Sequence, residues 1–124
     1  MLHAGVIDVV DDEESVRKAL GRLIRSAGFR VESHASVADF LLSLGQHRPD
    51  CILLDLHMPD LNGFQLQQAL HHAQVDVPVI VLTGDDAPAS RERALAQGAR
   101  AYLRKPVDEL LLLDAIRETL RPTP

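Results

Sequence analysis

Three carboxylates, a hydroxyl and an ammonium fall where a chain of this pattern would gather them. Asp55 closes the run Cys51-Ile52-Leu53-Leu54-Asp55, and turn residues follow it as far as Asn62-Gly63. Four apolar residues and then an acid describe a buried strand that carries a carboxylate to its C-terminal tip. Asp11 and Asp12 end a second apolar run, Thr83-Gly84 end a third, and a fourth leads to Lys105-Pro106. In an open α/β sheet, ligands and chemistry sit at those tips.

Carboxylates crowded together repel one another. A hard divalent cation relieves that most economically, since Mg²⁺ takes oxygen ligands, a couple of carboxylates and several waters. Lys105 adds a mobile positive charge and Thr83 a donor. Such a set could hold a phosphoryl group, its equatorial charge met by metal, ammonium and hydroxyl. Asp55 is then the nucleophile, because a carboxylate can form an acyl phosphate. Gly84 leaves room beside Thr83 for a tetrahedral group.

The elements that would position these residues alternate. Val6 to Val10 reads as the first strand, with Asp8 out of place in an apolar run. That acid either lies near the solvated end of the strand or finds a buried donor. Val16, Ala19, Leu20, Leu23, Ile24 and Ala27 form one stripe at helical spacing over Ser15 to Ala27, and Gly28 can stop that helix. Phe29 to Ser33 is a more polar strand suited to a sheet edge. Ser36 can cap a helix to about Leu44, and Gly45 can end it. Cys51 to Leu54 is the third strand, and Asn62 or Gly63 opens a helix containing Phe64, Leu66 and Leu70. Val79 to Leu82 is the continuous apolar run of a strand covered on both faces. Pro88 suits the first turn of a helix to Gln97-Gly98. Ala99 to Leu103 is the fifth strand and Val107 to Leu120 the fifth helix. Strands and helices alternating in this way predict a parallel sheet with right-handed crossovers and helices on both faces.

A length of 124 residues predicts one domain, over 1–120, with 121–124 a tail or the start of a linker. The 46% apolar content can fill a core, and a net charge of −5 argues against a generic phosphate-backbone binder. The single cysteine, Cys51, excludes an internal disulfide, fits a reducing cytoplasm and reads as a small apolar core residue. Met1 to Ala4 has no signal-peptide pattern, and no apolar run is long enough to span a bilayer.

Four stretches carry a family resemblance. They are Val9-Val10-Asp11-Asp12-Glu13, Leu54-Asp55-Leu56-His57-Met58-Pro59-Asp60-Leu61-Asn62-Gly63, Val81-Leu82-Thr83-Gly84, and Gly98-Ala99-Arg100-Ala101-Tyr102-Leu103-Arg104-Lys105-Pro106. In order and spacing they resemble the receiver domain of bacterial two-component response regulators, in wording closest to receivers joined to a C-terminal helix-turn-helix. The resemblance covers essentially the whole chain. It implies a flavodoxin-like (βα)5 sheet of order 2-1-3-4-5, a cytoplasmic setting and a phosphorylation-activated switch.

By position, the resemblance makes Asp55 the acceptor of a phosphoryl group from a histidine kinase. Asp12 and Asp55 hold Mg²⁺, with Mn²⁺ as a substitute, His57 adds its backbone carbonyl, and Asp11 acts mainly through water. Thr83 and Lys105 contact the phosphoryl oxygens, and Lys105-Pro106 is a cis candidate. Thr83 turning inward and Tyr102 rotating would transmit the event to a surface of helix four, strand five and helix five. That surface could pair with a second receiver or an output domain. The resemblance implies neither direct nucleic-acid binding by this domain, nor membrane association, nor an enzyme beyond self-phosphorylation and self-dephosphorylation at Asp55.

Two other functions compete. A degenerate receiver would bind partners without phosphorylation, but every acid of the site is present. An aspartate-nucleophile phosphohydrolase of the haloacid-dehalogenase kind wants a second acid two residues after the nucleophile, where His57 stands. His57 and Asp85 occupy positions expected to tune phosphoryl lifetime, the first through an imidazole whose charge changes near neutral pH. In helix five, Leu112, Leu113, Ile116 and Leu120 form one stripe. Leu110 and Leu111 lie off it, so that one is either tucked under the sheet edge or exposed for pairing. Arg17 and Lys18, near a kinase-docking side, read as a solvated polar face. The histidines at 3, 34, 47, 71 and 72 show no metal-ligand spacing and are taken as surface residues.

Overall fold

A computed structural model describes residues 5–59, 61–84 and 87–121. Among them, strands β1 (Val6–Val10), β2 (Arg30–His34), β3 (Cys51–Leu54), β4 (Val79–Thr83) and β5 (Ala101–Arg104) alternate with helices α1 (Glu14–Ser26), α2 (Val37–Ser43), α3 (Gly63–His72), α4 (Pro88–Ala96) and α5 (Glu109–Leu120). All strand pairs are parallel, in the order β2-β1-β3-β4-β5. This is the doubly wound, flavodoxin-like sheet expected from the alternation and the resemblance.

Alternation along the strands builds two cores. Val10, Ile52, Leu54, Val79 and Val81 face α2, α3 and α4, where Phe40, Phe64 and Leu66 cover them. Ile7, Val9, Cys51, Leu53, Ile80 and Leu82 face α1 and α5, meeting Leu20, Ile24, Leu112 and Ile116. Cys51 is fully buried, and burial pushes its thiol up to about 12, so it acts as a small apolar filler.

Local signals set the helix ends. The Ser36 hydroxyl accepts the Asp39 N–H, and Asn62 and Gln65 form a capping box at the start of α3. Gly28 and Gly98, with φ of 95° and 102°, supply the left-handed turns that end α1 and α4. Two boundaries differ from those read along the chain. β5 starts at Ala101 because the Ala99 N–H is spent closing α4 on the Ala94 carbonyl. α5 starts at Glu109 because Asp108 takes the cap, accepting the Leu111 N–H.

Leu110 and Leu111 are both exposed, at 72% and 54%, so neither tucks under the sheet edge. The reading of every remaining histidine as a surface residue is also corrected. Asp8 lies at 0% exposure on the face shared with Val10, and two imidazoles close over it. His34 Nε2 lies 2.8 Å from Asp8 Oδ2, and His47 Nε2 lies 3.0 Å from both carboxylate oxygens. The His34 ring also meets Phe40 edge to face at 5.4 Å. Asp8 thus found its donors inside, and a charge that would be costly alone is hydrogen-bonded. His71 is exposed like His72, whereas His3 lies outside the described residues.

Candidate functional site

Parallel strands end at one edge of the sheet, so β1, β3, β4 and β5 deliver their last side chains to one place. Asp11 and Asp12 follow β1, Asp55 follows β3, Thr83 ends β4 and Lys105 follows β5. Asp11, Asp55 and Thr83 are buried, while Asp12 is exposed. One carboxylate oxygen from each of Asp11, Asp12 and Asp55 lies within 4.8 Å of the others, the only such ligand group among the described residues.

Lys105 is the counter-charge. Its Nζ donates to Asp11 Oδ2 at 2.7 Å and to Asp55 Oδ2 at 3.4 Å. Its backbone N–H bonds the Thr83 carbonyl at 2.8 Å, which ties the lysine to the hydroxyl-bearing strand, and the Lys105–Pro106 peptide is cis. Burial works against the ammonium, but the hydrogen bond and charge of Asp11, with Asp55 behind it, outweigh that and raise its pKa. Burial raises the pKa of Asp55, and the nearby Asp11 charge adds to it; the His57 N–H and Lys105 work the other way. One ammonium cannot satisfy three carboxylates. The donor set, all hard oxygen, fits a small divalent cation.

Backbone geometry holds the nucleophile candidate. The Asp55 N–H bonds the Val10 carbonyl at 3.0 Å, and the His57 N–H reaches Asp55 Oδ1 at 3.2 Å. The His57 side chain points out to solvent, between buried Leu56 and Met58. A Cβ on Gly63 would lie 2.7 Å from the Asp55 carbonyl oxygen and 2.8 Å from Leu56 Cα. Only glycine lets the start of α3 approach the end of β3 this closely. A Cβ on Gly84 would meet nothing within 4 Å, so open space lies beside Thr83. Tyr102 is half-buried on β5, against the α2–α4 core.

Two residues have more to do here than their types suggested. Gly63 was read only as a helix opener, and no local signal announces its close approach. Arg17 is not part of a solvated face: its Nη1 donates to the Asp11 carbonyl at 2.7 Å. Its neighbour Lys18 does lie in solvent, paired with Glu14 at 2.9 Å. Asp60 and Asp85 lie outside the described residues, as do 1–4, 86 and 122–124.

Comparison with known proteins agrees with this arrangement. A family profile described as "Response regulator receiver domain" matches residues 7–117. The chain is 36% identical over 119 residues to the response regulator protein TmoT of Ectopseudomonas mendocina, covering 96% of this chain and 54% of that protein. It is 36% identical over 111 residues to the transcriptional regulatory protein FixJ of Rhizobium meliloti, covering 89% and 54%. The chain thus spans about half the length of the curated relatives it matches. Among solved structures, a response regulator receiver protein from Burkholderia phymatum superposes with a TM-score of 0.84 at 43% identity, over 94% of each chain. The structure described as FixJ-N superposes at 0.88 with 31% identity, over 96% of this chain and 95% of that one.

Proposed function

The chain belongs to the response regulator receiver domain family, and from that premise we propose that it is a switch thrown by phosphorylation of Asp55. The observation that carries this reading is the convergence of Asp11, Asp12 and Asp55 within 4.8 Å around the Lys105 ammonium. A kinase phosphohistidine is the donor. An Asp55 carboxylate oxygen bonds to phosphorus as the phosphorus–nitrogen bond to the donor breaks, leaving an acyl phosphate. Asp11, Asp12, Asp55 and the His57 carbonyl would hold Mg²⁺, or Mn²⁺ in its place. Bound there, the cation supplies positive charge where the transferring oxygens become crowded. Lys105 supplies a second positive charge from the β5 side, and Thr83 donates from β4.

The phosphoryl group adds roughly −1.5 to −2 charge and three acceptor oxygens, on the scale of phosphorylated hydroxyl side chains. Lys105, now bound to both Asp11 and Asp55, gains a stronger partner. Thr83 and Tyr102 carry the change to the α4-β5-α5 surface, where Leu95, Leu110 and Leu111 are exposed. A second receiver or an output domain reads that surface. The net charge of −5 suits protein partners better than direct contact with nucleic acid. The proposed setting is the cytoplasm; among the described residues no helix is long and apolar enough to cross a membrane. A phosphohydrolase reading is disfavoured because the residue two after Asp55 is a solvent-facing His57 rather than an acid.

The test is Mg²⁺ with acetyl phosphate, and with beryllium fluoride, on wild type and Asp55→Asn. Wild type should take up one phosphoryl group and bind the mimic, and the variant neither. A wild type that does neither ends the switch reading. Multiple turnover of a phosphate ester without a lasting acyl phosphate would replace it with the hydrolase.

A further inference from the structure

Asp11 has every polar group engaged. Its N–H bonds the His34 carbonyl at 3.1 Å, its Oδ1 accepts the Glu13 N–H at 2.9 Å, and its Oδ2 accepts Lys105 at 2.7 Å. The remaining group, its carbonyl, accepts Arg17 Nη1 at 2.7 Å. That carbonyl belongs to the peptide joining Asp11 to Asp12. Its orientation sets the direction in which the chain leaves for Asp12, the exposed member of the acid group. β1 ends before this peptide and α1 begins after it, so neither ladder nor helix fixes its plane.

Arg17 is well placed to do so. Its own N–H bonds the Glu13 carbonyl at 3.1 Å, which anchors the residue in the first turn of α1. The half-buried guanidinium reaches back over the loop to a single backbone oxygen. A positive charge beside a cation site is electrostatically adverse to that cation, by Coulomb repulsion. Its presence there points to a structural task that outweighs the repulsion.

We infer that Arg17 is a positioning residue of the divalent site: it clamps the Asp11–Asp12 peptide and so aims the Asp12 carboxylate at the cation. This rests on the proposed reading of the acid group as a metal site. The two roles open to an arginine here differ in sign. If Arg17 acts only through its charge, removing it strengthens cation binding. If it clamps the peptide, removing it weakens binding despite the lost repulsion. Outer-shell partners of metal ligands typically matter by about 10- to 100-fold in affinity. The opposing electrostatic gain puts the expected loss near the lower end, about tenfold.

The experiment is Mn²⁺ binding, followed by the paramagnetic resonance of the free ion, on wild type, Arg17→Met, Arg17→Lys and Lys18→Met. Lys18→Met removes the same charge from the next residue, which touches no part of the loop. Arg17→Met should bind about tenfold more weakly, Arg17→Lys should recover part of the loss by donating to the same carbonyl, and Lys18→Met should bind as wild type does or slightly tighter. Thermal unfolding of each metal-free variant shows that the fold persists. If Arg17→Met binds as tightly as wild type, or tighter, the clamp is refuted while the metal site stands. If wild type itself does not bind Mn²⁺, the metal site fails and the clamp with it. If Arg17→Met unfolds, Arg17→Lys carries the test: a lysine variant that folds but binds no better than Asp12→Asn overturns the inference.

Discussion

β1 carries two acid clusters three residues apart, and they are built on opposite terms. At Asp8 the acid is sealed inside the sheet's α2–α4 face, and two imidazoles donate to it within 3.0 Å. At the strand's tip, Asp11, Asp12 and Asp55 face one another with a single ammonium between them. The inner cluster is satisfied by the protein's own groups. The outer one keeps surplus negative charge and open space, and therefore has something left to bind. A buried acid marks function here only where its hydrogen bonding has been left incomplete.

The contrast can be broken most directly at Asp8. Asp8→Ala strands two imidazole donors in the interior and should cost about 3 kcal/mol in urea unfolding, on the scale of a broken buried pair. Divalent affinity at the strand tips should hold. A parallel fall would make the clusters one network, coupled through the His34 carbonyl that holds Asp11. Next in size is the difference between the two histidines. The His34 side chain is 10% exposed and that of His47 28%. His34→Gln should cost about 1–2 kcal/mol and His47→Gln less than about 1 kcal/mol. Equal costs would mean that burial does not rank the two contacts.

A similar effect of opposite sign should come from the outer cluster. Mg²⁺ at ten times its Kd should stabilise the chain by about 1.4 kcal/mol, and Asp12→Asn should abolish that gain. The smallest effect should be that of Asp55→Asn without metal. Burial raises the Asp55 carboxyl above its ordinary value, so the folded chain holds that proton more tightly than the unfolded one. Wild-type stability therefore gains from protonation at acid pH and loses that gain as pH rises from the ordinary carboxylate range through the raised value. Asp55→Asn should be more stable than wild type above that window, and the advantage should vanish below it. A pH-independent difference between the two would show that burial is not the cause.

Much of this was legible along the chain. Strand-ending Asp11-Asp12, Asp55, Thr83 and Lys105 need only the βα alternation to converge, because parallel strands all end at one edge. Helix stops at Gly28 and Gly98 and the cap at Ser36 are local, and so were readable from local sequence. Three features were not legible. The partners of Asp8 lie 26 and 39 residues away, and nothing in their spacing links them. Arg17 stands among charged residues of an amphipathic helix, and its reach back to the Asp11 carbonyl depends on the loop's path. Leu110 and Leu111 sit beside a buried stripe, and only the register of α5 against the sheet decided that both face outward.

The sequence by itself determined the fold and the membership of the outer site, because hydrophobic period, turn residues and strand-end chemistry are properties of short segments. The tertiary structure alone decided how each acid is compensated. Asp8 is met by His34 and His47, Asp11 by Lys105 and Arg17, and the remainder is left for a cation. Hydrogen bonds of 2.7–3.0 Å demand positions that only packed elements fix, and charge balance in a buried place depends on which distant residues arrive there.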